Sequence, residues 1–197
     1  MDKLNLKNCI HFDNDVLVYK SYQDLINYFS QERINITSYN RKRLIFGYSF
    51  FPSYKLVRQL CENILEKVIY NKNNSWTSNN GKPYNEMELL NLVYEDNKRQ
   101  FSLLSSLPYN NLQIFDPAGY GQYIDGTFVN PHKIYKKRFT SSNDPVGVEI
   151  KSKRIKVKFT DEPFVIWKEK LFDLANLHIH SKRLHKYLPK LYQEFIN

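Results

Sequence analysis

Val57, Leu60, Cys61, Ile64, Leu65 and Val68 recur at steps of three and four, and that spacing constrains the fold more than any other feature of the chain. Residues spaced so line up as one continuous apolar stripe on an α-helix opened by Pro52-Ser53, and the spacing predicts a core-facing helix. Such a helix needs an apolar surface to pack on. The segments before it supply one: Ile34–Ser38 and Arg43–Phe50 are dense in β-branched and aromatic residues, the types that strands favour. Strands followed by a helix that must cover them predict an α/β chain, a mixed sheet with flanking helices.

The same reading extends in both directions. Residues 8–12 predict a short strand that runs into Asp13-Asn14-Asp15, with Val16-Leu17-Val18 as a second apolar stretch. Ser21 or Tyr22 opens a helix carrying Leu25, Ile26 and Phe29 on its inner side. Residues 71–83 are polar, with Asn79-Asn80-Gly81 as turn chemistry, and read as a surface loop. A helix follows from Tyr84 to about Glu95, with an extension to Leu104 left open. Beyond it come a short strand at Leu112–Phe115, an irregular stretch over 126–145, and a hairpin near 147–159 and 163–168. A last strand, Leu174–Ile179, leads into a helix bearing Leu184, Leu188, Leu191 and Phe195, interrupted by Pro189. Neither an internal repeat nor a linker divides the chain, so residues 1–197 read as one domain.

Composition narrows the class of partner. The formal net charge is +9, from 29 Lys+Arg against 20 Asp+Glu, which favours phosphate-bearing or other anionic partners, an anionic membrane surface among them. The basic residues concentrate at Lys133–Arg138, Lys151–Lys158 and Lys182–Lys190. No run approaches the roughly 20 apolar residues of a membrane-spanning helix. The first residues also lack the apolar stretch of a signal peptide, so the chain reads as cytoplasmic. Cys9 and Cys61 lie in apolar segments outside any CxxC pair and read as buried thiols in a reducing compartment.

Four constellations have chemistry in them. In an extended segment Asp13 and Asp15 point the same way, and paired carboxylates suit a hard divalent cation such as magnesium or manganese. His178, His180 and Lys182 alternate with Ile179 and Ser181, so a strand projects all three on one face: imidazoles for a metal, an ammonium for phosphate. In Phe115-Asp116-Pro117-Ala118-Gly119-Tyr120-Gly121-Gln122-Tyr123, the glycines allow close backbone approach to a ligand, while Gln122 and Tyr123 offer hydrogen bonds and a stacking face. Glu86, in Asn85-Glu86-Met87-Glu88, stands at the start of a helix, where acids are favoured by the helix dipole and where a catalytic role is the competing reading.

Taken in order, FDNDVLVY, NEMELL, FDPAGYGQYIDGT and NLHIHSK resemble a group of DXD-containing, GT-A-type glycosyltransferase-like proteins of the kind that build capsules and other polysaccharides. The resemblance implies a GT-A mixed sheet and transfer of a sugar from a nucleotide sugar to a glycan or lipid-linked acceptor. It implies Asp13 and Asp15 as ligands of Mn2+ or Mg2+, with His178 or His180 completing the shell. Lys182 would contact the donor phosphates, Gly121, Gln122 and Tyr123 would lie along the donor, and Glu86 would face the acceptor. Only twelve residues precede Asp13. The family's nucleoside-binding strands precede its DXD, so the chain is expected to correspond to the C-terminal part of such a domain. A basic, aromatic-rich nucleic-acid-binding module is the alternative from composition, and an inactive remnant serving as a partner subunit is a third reading.

Overall fold

The computed structural model describes residues 6–40, 43–73, 84–109, 113–130, 133–135 and 144–188. Its centre is a four-stranded mixed sheet in the order β1 (Lys7–Phe12), β4 (Arg43–Ser53), β3 (Ile34–Asn40), β5 (Phe101–Leu103). β4 runs antiparallel to both of its neighbours, whereas β3 and β5 are parallel. The second strand of the chain, β2 (Val16–Val18), leaves this sheet and pairs antiparallel with β11 (Asn176–His178). Two smaller antiparallel units complete the strands: β8 (Ile155–Phe159), β9 (Pro163–Trp167) and β10 (Lys170–Asp173), and the pair β6 (Thr127–Asn130) and β7 (Lys133–Tyr135).

β4 is buried on both faces, and its sequence says why. Tyr48 and Phe50 enter one core cluster with Leu25, Phe29 and Phe115, where Phe29 stacks on Phe50 at a centroid distance of 4.4 Å. Leu44 and Phe51 enter another with Leu60, Leu90 and Val93, from the two helices α2 (Tyr54–Asn73) and α3 (Glu86–Asp96). A short helix α1 (Tyr22–Leu25), capped by Ser21, lies before β3. A third cluster, with Ile114, Tyr120, Val146, Leu174 and Leu177, joins α4 (Gly119–Asp125) and α5 (Pro145–Lys151) to the later strands. Among the described residues no helix is long and apolar enough to cross a membrane.

The mixed sheet with flanking helices matches the sequence reading, and several details differ. α2 does not bury its whole stripe: Leu60 is 3% exposed, but Leu65 is 57% exposed and Cys61 is also in solvent. Only one edge of the stripe meets the sheet. Cys9 is half-buried rather than core, and both thiols are free. The helix from residue 84 stops at Asp96, where the Asn97 N–H turns back onto Val93 and Tyr94, and Phe101–Leu103 becomes a strand. Residues 147–151 belong to helix α5, not to a hairpin arm; Asp144 accepts from the Val146 N–H and Pro145 takes the first turn, a standard helix start. Of the expected strand at Leu112–Phe115, Ile114 makes a single parallel bridge to Leu174. The stretch expected to be irregular holds the β6–β7 hairpin, while 136–143 lie outside the described residues. Of the expected final helix, Leu184–Tyr187 form a 3-10 turn; Pro189, Leu191 and Phe195 lie outside the described residues.

Candidate metal centre

The acid triplet is a turn, not an extended segment. The Val16 N–H donates to the Asp13 carbonyl at 3.1 Å, closing a loop of the type that Asp and Asn favour. The turn links two sheets: the Asp13 N–H donates to Gly47 O of β4, and the Asp15 carbonyl accepts from the Ile179 N–H at 2.7 Å, just past β11. Because Val16 pairs with His178 across the β2–β11 ladder, the Asp15 carboxylate arrives beside the imidazole. His178 Nε2 lies 3.1 Å from Asp15 Oδ1, and Lys182 Nζ donates to Asp15 Oδ2. Ligand atoms of Asp13, Asp15 and His178 all lie within 4.8 Å of one another. Burial pushes the Asp15 carboxyl up, but hydrogen bonds and charge from His178 and Lys182 outweigh it and hold the group well below the usual carboxylate range.

His178 is fixed from three sides. Its backbone N–H donates to Asp116 Oδ2 at 2.9 Å. The same buried carboxylate accepts from Gly121 through Oδ2 and from Ala118 and Tyr120 through Oδ1. Asn176 brackets the Asp116 backbone, its Oδ1 accepting from the Asp116 N–H and its Nδ2 donating to the Asp116 carbonyl. Burial raises the Asp116 pKa despite the four N–H groups that favour its charge. Two glycines press on the histidine. A Cβ on Gly121 would sit 1.9 Å from His178 O, and one on Gly47 would sit 2.8 Å from His178 Nδ1. The partners of β4 explain Gly47: Ile36 pairs with Ser49 while Thr37 pairs with Ile45, so residues 46–48 form a bulge against β3. Glycine inside a strand commonly marks such a bulge or a close approach.

The remaining residues of the NLHIHSK segment leave the strand. Lys182 has φ +62° and its N–H donates to Ile179 O, so a tight turn returns its ammonium to Asp15. The expected strand face through His178, His180 and Lys182 is therefore replaced by strand, then turn. Arg183 anchors that turn through Nε and Nη2 to the Asp125 carboxylate, which also accepts from Ser181 Oγ. His180 stays outside the Asp13–Asp15–His178 group. Its Nδ1 lies 3.2 Å from Gln122 Nε2, and burial first, then His178, bring its pKa down to about 4. A largely neutral imidazole beside the metal corner follows.

These groups open on a cavity of about 670 Å3. Asp13, Asp15, His178, His180, Lys182 and Gln122 line it together with Tyr39, Arg43, Glu86 and Met87. Glu86 reaches it because the capping box of α3 uses Asn85 and Glu88, which leaves the Glu86 carboxylate exposed. Of the residues expected along a donor, Gln122 lines the cavity. Gly121 is buried against the His178 backbone, and Tyr123 packs on the third core cluster, so neither lines it.

Gly47, Asp116, Asn176 and Arg43 went unassigned in the sequence. A glycine interrupting the aromatic run of β4 was the available signal for Gly47, and the turn chemistry of Asp116-Pro117-Ala118-Gly119 for Asp116. Asn176 and Arg43 carry no local signal. No protein-family model, no curated protein and no solved structure matches the chain.

Proposed function

We propose that the chain carries the metal site of a metal-dependent, GT-A-type glycosyltransferase that transfers a sugar from a nucleotide-sugar donor to a glycan or lipid-linked acceptor. The observation that carries this reading is the convergence of Asp13, Asp15 and His178 within 4.8 Å at the mouth of a large cavity with Lys182 on its rim. Two carboxylate oxygens and one imidazole nitrogen suit Mn2+ better than Ca2+, which prefers an all-oxygen shell, and the open side leaves room for phosphate oxygens. A bound Mn2+ or Mg2+ would stabilise the charge that develops on a departing nucleoside diphosphate.

The chain's own groups complete the chemistry. Lys182 is 54% exposed at its side chain and can turn from Asp15 to a phosphate oxygen. Arg43 faces the same space and adds a second cation. Asp116 holds the His178 backbone, and Asp15 Oδ1 lies 3.1 Å from its Nε2, so the imidazole is already beside the carboxylates when a ligand arrives. Glu86 lines the same cavity and would serve the acceptor.

A module that stacks bases on its aromatic residues is less favoured. Phe29, Tyr48, Phe50 and Phe115 pack on one another inside the core, and Lys156 and Lys158 stand on the solvent face of β8 while Ile155 is buried. The test is thermal stabilisation by a panel of sugar nucleotides with and without Mn2+. Stabilisation that needs Mn2+ and weakens at least tenfold in apparent affinity in Lys182→Ala is expected. Stabilisation indifferent to Mn2+, or none with any sugar nucleotide, would refute the reading.

A further inference from the structure

A second cavity, of about 440 Å3, lies between β1–β4 and α2 and is apolar almost throughout. Its walls include Cys9, Phe46, Phe51, Val57, Leu60 and Ile64. Two residues, Asp13 and Glu86, line this cleft and the metal-corner cavity alike, so the two spaces meet at a pair of carboxylates. Cys9 and His11 lie on the same side of β1 and Asp13 follows just past its end, and all three line the cleft, so the lining leads to the acid turn.

We infer that the cleft is an acceptor subsite for an amphiphile with an uncharged, hydroxyl-bearing head and an apolar body, such as an alkyl or lipid glycoside. The inference rests on the transferase reading and names its acceptor class. The cleft's size falls within the range of small-ligand sites, and its lining matches a hydrocarbon body. The junction decides the head group. Two carboxylates repel a phosphate and accept hydrogen bonds from hydroxyls, so a sugar or alcohol head fits where an anionic head does not. Apolar surface continues past the cleft along α2: Cys61, Leu65 and Ile69 follow at i, i+4 and i+8, and Leu65 and Ile69 are 57% and 53% exposed. A chain longer than the cleft has somewhere to run.

In the reaction this implies, the acceptor hydroxyl gives its proton to the Glu86 carboxylate as its oxygen bonds to the anomeric carbon of the donor. The bond from that carbon to the diphosphate oxygen breaks, and the electron pair leaves with the nucleoside diphosphate. No oxidant or reductant is needed.

The exposed thiol of Cys61, on the cleft wall, reports occupancy without any activity assay. The full chain, free of metal and nucleotide, is alkylated with N-ethylmaleimide in the presence of glucose, octyl glucoside, decyl glucoside or decyl phosphate, each below its micelle concentration. Protection of Cys61 is expected from the glucosides alone, strengthening by up to roughly fourfold per added methylene as burial of each CH2 requires. Decyl phosphate should protect less well than decyl glucoside. Ile64→Asn, on the cleft wall, should weaken protection at least tenfold, and Leu171→Gln, at an exposed position of β10 that does not line the cleft, should not; if Ile64→Asn does not fold, Val57→Asn serves in its place. Protection absent, independent of chain length, strongest with decyl phosphate, or dependent on protein concentration as self-association would make it, overturns the inference. Because no metal or nucleotide is present, failure of the metal reading leaves this measurement standing.

Discussion

Replacing Asp116 with Asn changes one buried atom and tests how the metal corner is held. Asp116 Oδ1 accepts from Ala118 and Tyr120, and Oδ2 from Gly121 and His178. An amide can present its oxygen to only one of these pairs, so its NH2 must face two N–H donors that then have no acceptor. Each orphaned buried donor costs about 1–3 kcal/mol, or about 2–6 kcal/mol for the pair. Relief of a buried charge offsets part of that, because burial already raises the pKa of the group. A net loss of about 3 kcal/mol corresponds to a fall of about 6–12 °C in melting temperature for a chain of this size. The Asn side should lie toward Gly121 and His178 or toward Ala118 and Tyr120; in either case α4 and β11 lose their common clamp. Differential scanning calorimetry gives the stability, and Mn2+ titration of the folded variant gives the site, with at least a tenfold loss of affinity expected. An Asp116→Asn protein that melts with the wild type and binds Mn2+ equally well would refute this account of the clamp.

Three further outcomes follow from the same geometry. Gly47→Ala places a methyl 2.8 Å from His178 Nδ1; it should cost about 1–3 kcal/mol of stability and at least tenfold in Mn2+ affinity, both read as above. Asp125→Ala strips the partner from Arg183, whose side chain is 23% exposed, and should loosen the turn that carries Lys182, seen as faster amide exchange at residues 181–183. Asp144 supplies a pH signature. Burial raises its pKa from 3.8 to about 6, so the folded state holds the proton more tightly and this stabilisation is lost as pH rises through that window. Asp144→Asn should therefore gain stability relative to the wild type above pH 6, with an upper limit of about 3 kcal/mol, and gain nothing below pH 4. Equal differences at pH 4 and pH 7, measured by urea denaturation, would contradict it.

How much of this was legible in the sequence differs between elements for physical reasons. β4 and α2 have strong local signals, an aromatic run and a three-and-four spacing, and both form. Spacing alone could not tell that α2 leaves Cys61 and Leu65 exposed, because coverage depends on which elements of the folded chain pack beneath the helix. Asp13, Asp15, His178 and Lys182 were legible as groups that come together, but the geometry that joins them was not. The carboxylates meet through a turn, and Lys182 returns through a left-handed residue, neither of which alternation describes. Gly121 was read as a place where the backbone approaches a ligand; the group it approaches is His178 O of the chain itself. Asp116 and Asn176 are separated from their partners by about sixty residues of sequence, so only the folded chain discloses the clamp.

The central claim is that Asp13, Asp15 and His178 hold one divalent ion. Titration of the purified chain with Mn2+, following the free ion by electron paramagnetic resonance, measures it without reference to any substrate. One ion per chain is expected for the wild type, with binding lost in Asp13→Asn and unchanged in Glu62→Gln, whose carboxylate pairs with Arg58 on the far surface of α2. No bound ion below millimolar Mn2+, or equal binding by Asp13→Asn and the wild type, would contradict the claim.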